Sequence, residues 1–390
     1  MKKVGLMAVM ALLLANISAF GKGKQIEVNG KKIPVADGIY AKFQTTLGDI
    51  LIELNTTKAP MTSANFILLA EGTSPIVTEK YKGKPYFNGL TFHRVIPNFM
   101  IQGGDPEGNG QGGPGYEFPN EVSEELTHEK GVISMANSGP NTNGSQFFIT
   151  VEATPQLNGG YSVFGKVLEG QSIADSISKV ERDEMDKPKT TVSINAVTII
   201  RVGKEFKDWD ALAAFDAGKA KFEADQKVAQ EEAMKAAEEA RLKSEAFAAE
   251  IATKYPNAKT SESGLIYIIE TVGKGAKLKN GYMVNVHYAG YFADGKMFDT
   301  SIKSLAQANE GMYNPQREPY DPMAVPYGPD AQMIPGFKEG MMLLNLGGKA
   351  KIILPPSLAY GEQGAGGMIP PYAWLIFDIE LVSIAKPQTQ

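Results

Sequence analysis

Two stretches of the sequence set hydrogen-bonding side chains among aromatic residues: Phe92–Asp105 (FHRVIPNFMIQGGD) and Met135–Thr150 (MANSGPNTNGSQFFIT). Arg94 stands with Phe99 and Met100, Gln102 lies near them, and Asn137, Gln146 and Phe148 follow. In a strand, Phe92, Arg94 and Ile96 share one face and His93 and Val95 the other. An arginine inside an apolar strand is costly unless it faces a binding site or a partner. No nucleophile–base pair stands beside it, so the surface suits a reaction without covalent chemistry. A second constellation lies in Val284–Ser301 (VNVHYAGYFADGKMFDTS), Met333–Met341 (MIPGFKEGM) and Leu354–Val382, which contains LAYGEQGAGGMIPPYAWLIFDIEL. Here aromatic residues surround a single acid. With no cysteine and three scattered histidines (His93, His128, His287), the sequence offers no metal site, thiol nucleophile or disulfide.

The first two segments, with Val163–Val167 (VFGKV) after them, resemble the cyclophilin family of peptidyl-prolyl isomerases over about 160 residues. The resemblance implies an eight-stranded closed antiparallel barrel capped by two helices. It assigns catalysis to Arg94, Phe99 and Gln102, and substrate contacts to His93, Met100, Ala136, Asn137, Gln146, Phe148, Leu157 and Tyr161. Two departures stand out: Gln156 where the family often has tryptophan, and Tyr161 where a histidine is common. The first implies weak cyclosporin binding. The chemistry is consistent with the residues. Rotation about an X–Pro bond crosses a barrier of about 18–20 kcal/mol because it destroys amide resonance. The twisted amide nitrogen gains a lone pair, which a guanidinium donor stabilises more than it does the planar amide. Lowering the barrier by about 6 kcal/mol gives roughly a 10⁴-fold acceleration.

The later constellation resembles the FKBP family, an unrelated fold with the same activity, over about residues 260–384. The resemblance implies an antiparallel sheet of five strands wrapped around a short helix, here Pro335–Leu343. Tyr288, Asp299 and Tyr360 then carry catalysis, and Phe298, Met333, Ile334, Phe337, Met368, Ile369 and Phe377 bind substrate. A dry aromatic pocket favours the twisted amide, which is less polar. Phe337 replaces the usual tryptophan floor, Met323 and Val325 stand for two family aromatics, and a polar insertion spans about Ile302–Tyr320. FKBP-type macrolides are expected ligands of this domain. No cofactor is implied by either resemblance.

These residues need elements to position them. Short apolar runs broken by Gly, Pro and Asn predict strands at Ala41–Thr45, Ile50–Leu54, Thr91–Ile96, Met100–Gly103, Val132–Met135, Gln146–Thr150, Val163–Val167 and Val192–Arg201, with helices at Pro60–Glu71 and Gln171–Lys179. Strands return at Leu265–Val272, Met283–Phe292, Lys349–Leu354 and Trp374–Val382. Between them, Lys204–Lys254 is alanine-rich and proline-free, with opposite charges at helical spacing such as Glu231–Lys235. It predicts a spacer helix. Its apolar residues are too sparse for a heptad seam, and Phe222, Met234, Leu242 and Phe247 are the candidates for a homodimer contact. The expected organisation is a signal peptide (1–21), a cyclophilin-like domain (22–203), a helical linker (204–254), an FKBP-like domain (255–385) and a tail (386–390). The fold class is mostly β with α.

The 390 residues carry 39 basic and 44 acidic side chains, a balance that argues against nucleic acid as a partner. Lys2 and Lys3, an apolar run from Val4 to Ile17 and the small residues Ser18, Ala19 and Gly21 follow the order of a secretory signal, with cleavage after Ala19 or Gly21. No later apolar run is long enough to span a membrane. Export to the periplasm or medium of a bacterium is therefore expected, with unfolded proteins containing X–Pro bonds as clients. A holdase or proline-segment scaffold is the competing reading, but mere apolar binding has no need of Arg94. Gly108, Gly110 and Gly113 match G-x-G-x-x-G, yet Pro114 follows and no helix opens, so a flexible rim loop is expected instead of a dinucleotide site. Glu181–Lys189 reads as a solvated charged loop, and His128 has no evident role.

Overall fold

The computed structural model describes residues 24–275 and 277–385. The expected signal sequence and the tail at 386–390 lie outside the described residues. The chain divides into two compact units, up to Gln226 and from Lys227.

In the first unit eight antiparallel strands run in the spatial order Ile194–Val202, Gly38–Thr45, Gly48–Leu54, Val163–Glu169, Val132–Met135, Phe147–Thr150, Met100–Gly103 and Arg94–Ile96. The first and last strands meet through the isolated bridge Thr91–Ser193 and a bond from Phe92 N–H to the Val192 carbonyl (3.0 Å), not through a full ladder. The interior is aromatic. Phe66 stacks on Phe87 with centroids 4.7 Å apart and meets Phe147 edge-on at 5.8 Å. Phe66 belongs to the helix Pro60–Glu71, which begins with proline at its first turn and ends at Gly72 (φ 71°). That helix is buried on all sides from Met61 to Ala70, and its polar Thr62, Ser63 and Asn65 are hydrogen-bonded to Glu121, the Asn55 carbonyl and the Gly144 carbonyl. The second helix, Gln171–Ser178, ends one residue earlier than the sequence pattern predicts. A hairpin that the strand pattern did not predict, Gln25–Val28 with Lys31–Pro34, turns at Asn29-Gly30, both at positive φ (50° and 73°). Its Ile26 and Val28 pack on Tyr40 and Leu51, covering the outside of the barrel.

The helix Ala211–Lys254 is continuous over 44 residues, but its ends are not free spacer. In the first unit Ala211 and Phe215 join the core, Phe215 meeting Phe118 edge-on at 5.7 Å. Gly218 lies so close to the helix Pro60–Glu71 that a Cβ there would sit 2.5 Å from the Met61 Cβ. In the second unit Phe247 and Ile251 are buried with Ile353 and Ile376 against the outer face of the sheet. This corrects the expected dimer contact: Phe247 is used within the chain, and of the remaining candidates only Met234 and Leu242 are exposed, Phe222 being half-buried.

The second unit holds one antiparallel sheet in the order Lys259–Thr260, Ile266–Thr271, Lys349–Leu354, Leu375–Ile384, Met283–Phe292 and Met297–Thr300, with Met323–Pro326 also pairing to Met283–Val286. Met297–Thr300 and Met323–Pro326 thus pair with opposite ends of one strand, so they form a single edge interrupted by the 302–320 insertion. Counted as one edge they leave six strands, and the two-residue strand Lys259–Thr260 is the one beyond the five that the resemblance implies. The helix Pro335–Met342 packs across the sheet through Phe337 and Met341. Leu375, Phe377 and Ile379 alternate inward, as period 2 requires.

Candidate active sites

Arg94 opens the last barrel strand and pairs in register with Gln102 on Met100–Gly103. Phe99 occupies the tight turn between these strands, where Asn98 adopts φ 60° and Val151 N–H holds the Phe99 carbonyl at 2.9 Å. The result is a cleft of about 200 Å³ lined by Arg94, Phe99, Met100, Gln102, Ala136, Asn137, Phe148, Leu157 and Tyr161. Of the site residues expected in this domain, only His93 and Gln146 are absent from that lining.

Each has a physical reason. His93 is buried on the face opposite Arg94, 5% exposed, with neither ring nitrogen hydrogen-bonded. Burial holds its pKa below the ordinary histidine value, opposed by the nearby Asp105 carboxylate. It contacts no open surface, so its expected substrate role is corrected. Gln146 stands behind the cleft as a relay. Arg94 Nη1 donates to Gln102 Oε1 (3.4 Å), Gln102 Nε2 donates to Gln146 Oε1 (3.0 Å), and Gln146 Nε2 donates to the carbonyls of Gly110 (3.0 Å) and Gly112 (2.9 Å). The catalytic-strand amides are thereby tied to the glycine loop. That loop is not loose, contrary to expectation. The buried Asp105 carboxylate accepts from the N–H groups of Glu107 (2.8 Å), Asn109 (2.9 Å) and Gly110 (2.5 Å). Burial alone would raise its pKa, but these donors outweigh it and bring the value below the ordinary aspartate range. Beside it opens a second cleft of about 520 Å³, bounded by Gly110–Glu117 and Ala136–Ser138.

Three supporting residues escaped the sequence reading. Asp186 lies in the charged loop expected to be merely solvated. Its carboxylate stands 4.0 Å from Arg94 Nε and accepts from Arg182 Nε at 3.1 Å, and its carbonyl accepts from Val95 N–H at 2.8 Å. His128, also given no role, is 2% exposed and stacks under Phe148 with centroids 5.8 Å apart. Asn158 Oδ1 (3.0 Å) faces its Nδ1 and the Ser134 hydroxyl (3.0 Å) its Nε2. Since an amide oxygen only accepts, Nδ1 carries the proton and Nε2 accepts from Ser134. Burial keeps this imidazole neutral by lowering its pKa.

In the second unit, Tyr288 meets Phe337 edge-on (6.2 Å), Phe337 meets Phe377 (5.1 Å), and Phe377 meets Phe298 (5.6 Å). Gly290 permits this arrangement, because a Cβ there would lie 2.6 Å from the Phe298 ring and 2.9 Å from Phe377. Tyr288 Oη donates to Asp299 Oδ2 at 2.5 Å. Burial, and then this bond, push the phenol up to about 12, so it remains a donor. The third missed residue, Arg317, comes from the insertion: Nη1 donates to Asp299 Oδ1 (2.5 Å) and Nη2 to Tyr288 Oη (3.3 Å). Nothing near Arg317 in sequence marks it, since the pairing depends on the fold of the insertion. Met333 and Ile334 are half-buried at the start of the helix and Ile369 is buried, whereas Tyr360 and Met368 are exposed on the following loop. No group of three or more His, Asp or Glu able to hold a metal occurs among the described residues.

A barrel with an arginine-edged apolar cleft and a separate aromatic pocket on a helix-crossed sheet are the architectures of two prolyl isomerase families. Residues 40–199 match the model for cyclophilin-type peptidyl-prolyl cis-trans isomerases, and residues 274–382 that for FKBP-type peptidyl-prolyl cis-trans isomerases. Peptidyl-prolyl cis-trans isomerase A of Mycobacterium tuberculosis is 48% identical over 165 residues, 41% of this chain and 91% of that protein. Peptidyl-prolyl cis-trans isomerase ppi1 of Schizosaccharomyces pombe is 46% identical over 151 residues, 38% of this chain and 90% of that protein. A solved Cryptosporidium parvum cyclophilin-type isomerase is 36% identical, covering 41% of this chain and 98% of that one with a TM-score of 0.37. The chain belongs to the cyclophilin-type isomerase family through its first domain and carries an FKBP-type domain after it. It is a peptidyl-prolyl cis-trans isomerase.

Proposed function

We propose that this isomerase is exported to the periplasm or medium of a bacterium and acts with two sites on unfolded or partly folded secreted and envelope proteins. The charged, apolar, small-residue order of residues 1–21 supports export. Isomerisation over tens of seconds limits the folding of many such chains.

In the first site the proline ring enters the cup of Phe99, Met100, Phe148 and Leu157, while Gln102 and the Asn137 backbone hold the neighbouring peptide. Arg94 then donates to the prolyl nitrogen as the amide twists, an interaction absent in the planar ground state. The observation that carries this reading is the bracing of Arg94 at an apolar cleft by Gln102 on one side and Asp186 on the other. In the second site the aromatic walls exclude water, and Tyr360 and the Ile334 backbone hold the substrate carbonyls. A binding role with weak turnover is the second reading for this site alone. It is favoured by Arg317, which engages both the Asp299 carboxylate and the Tyr288 hydroxyl.

Tetrapeptide turnover by each domain, refolding of a proline-limited client, and fractionation of cells expressing the full chain test the proposal together. Turnover from both domains and a processed protein outside the cytoplasm are expected. An unprocessed cytoplasmic protein would remove the exported role.

A further inference from the structure

Beside the aromatic pocket of the second domain lies an open apolar groove of about 430 Å³, which the isomerase reading does not use. It shares two walls with that pocket. One is the loop after Ile369: Ile369 packs into the domain core, while Pro370, Tyr372 and Trp374 border the groove. The other is Phe292, which lines the groove and tilts against Phe298 of the pocket at 4.9 Å. The third wall is the end of the long helix, through Ala240, Ser244 and Phe247. These walls are fixed in place. Trp374 Nε1 donates to the Ser244 carbonyl (3.1 Å) and hydroxyl (2.9 Å), Phe247 meets Trp374 edge-on at 5.6 Å, and Lys254 Nζ donates to the Ala293 carbonyl at 3.0 Å.

We propose that this groove is an extension of the client site: it takes an apolar side chain of the same polypeptide, within a few residues of the proline held in the aromatic pocket. This rests on reading the second domain as a client-binding site. The shared walls argue for that occupant, because Phe292 and the loop after Ile369 border both, so an extended chain leaving the pocket past either one runs toward the groove. The composition argues the same way. The floor is aromatic, and charge is confined to the rim at Lys243, Asp294 and Lys296, so a peptide with its polar backbone outward loses little hydration there. A preformed cavity also binds at a lower ordering cost. The helix end therefore serves binding as well as packing.

The test uses the full chain carrying Trp209→Phe, which leaves Trp374 as the one indole, and Arg94→Ala to silence the first domain. Two probes are compared: the tetrapeptide Ala-Leu-Pro-Phe, read by turnover, and a dodecapeptide with the same core flanked on both sides by leucine and phenylalanine, read by Trp374 emission. The dodecapeptide should shift the emission. Ala240→Leu, which fills the groove and suits a helix, and Ala240→Glu should each weaken it at least ten-fold, with tetrapeptide kcat/KM within two-fold of the parent. A silent Trp374, or unchanged dodecapeptide affinity in both variants, overturns the groove. Absence of tetrapeptide turnover in the parent, with the emission shift intact, would instead sink the isomerase reading of this domain and leave the groove standing.

Discussion

Arg94 owes its position to two different kinds of support, and they separate experimentally. Gln102 fixes the guanidinium by hydrogen bonding, while Asp186 acts by charge at 4.0 Å and by gripping the strand through its carbonyl. In the chain ending at Gln226, Arg94→Ala should lower kcat/KM at least ten-fold with an unchanged unfolding midpoint. If more than half the activity survives, Arg94 is not the stabilising donor. Asp186→Asn keeps the backbone grip, and asparagine tolerates the φ of 61° found there. It should lower kcat about three-fold or more with little change in KM, since the charge facing Arg94 and Arg182 is removed while the backbone grip stays. A raised KM with kcat little changed would mean the loop contacts substrate itself. The buried histidines give a pH signature. Burial lowers the pKa of both His93 and His128, so the unfolded chain binds their protons first. Stability is then full above the unfolded value near 6.5 and falls as pH drops toward the lowered folded values. His93→Leu, which removes two unbonded nitrogens from the core, should flatten that loss between about pH 6.5 and 5. Chemical denaturation across this range reads it, and an unchanged slope would count against it. Arg94 was legible in sequence because a cation in an apolar strand is anomalous. Asp186 and Arg317 were not, because each sits among other charges and acquires its partner only across the fold.

The elements divide by how local their cause is. Met100–Gly103, Val132–Met135, Met283–Phe292 and Lys349–Leu354 match the sequence pattern residue for residue, since apolar runs between turn residues define them without tertiary help. The expected strand Thr91–Ile96 shortened to Arg94–Ile96 because its first residues bond instead to Val192 and Ser193 at the barrel seam. The hairpin Gln25–Pro34 carried its signal in Asn29-Gly30 and in the alternation of Gln25–Val28, but each strand has only four residues and Lys31–Pro34 offers Ile33 alone as an inward apolar position. Glycines at element crossings were invisible for a different reason: what they avoid belongs to another element. Gly290 is the clearest case. Its alanine variant would drive a methyl into Phe298 and Phe377, overpacking that costs roughly 1–3 kcal/mol. Gly290→Ala should therefore abolish the macrolide binding expected of the second domain, together with its turnover, while the first domain keeps its tetrapeptide rate. Calorimetry with an FKBP-type macrolide decides it, and tight binding by the variant would show that the aromatic crossing is not required.

At the scale of the whole chain, composition identified the long helix but started it at Lys204, where a short helix Lys204–Lys207 precedes a break before Ala211, and it assigned too much of it to solvent. Helix propensity and charge pairing are local, so they were readable; the burial of Phe215 and Phe247 depends on surfaces supplied by distant segments. What remains truly solvated is the middle, where residues 223–236 are all exposed. This changes how the two-site account must be tested. Removing residues 204–254 outright would strip Phe215 from one core and Ile251 from the other, and lost tetrapeptide activity would then report damage to the domains. Replacing only residues 223–236 by a glycine–serine stretch of equal length leaves both packed ends in place. Tetrapeptide turnover by both domains should stay within about two-fold. Refolding of a long, proline-rich client should fall, because a flexible chain alters the effective concentration of the second site once the first is occupied. A client with a single proline and no second binding segment should be indifferent to the replacement. If long and short clients respond alike, the sites act independently and the helix contributes only through its packed ends.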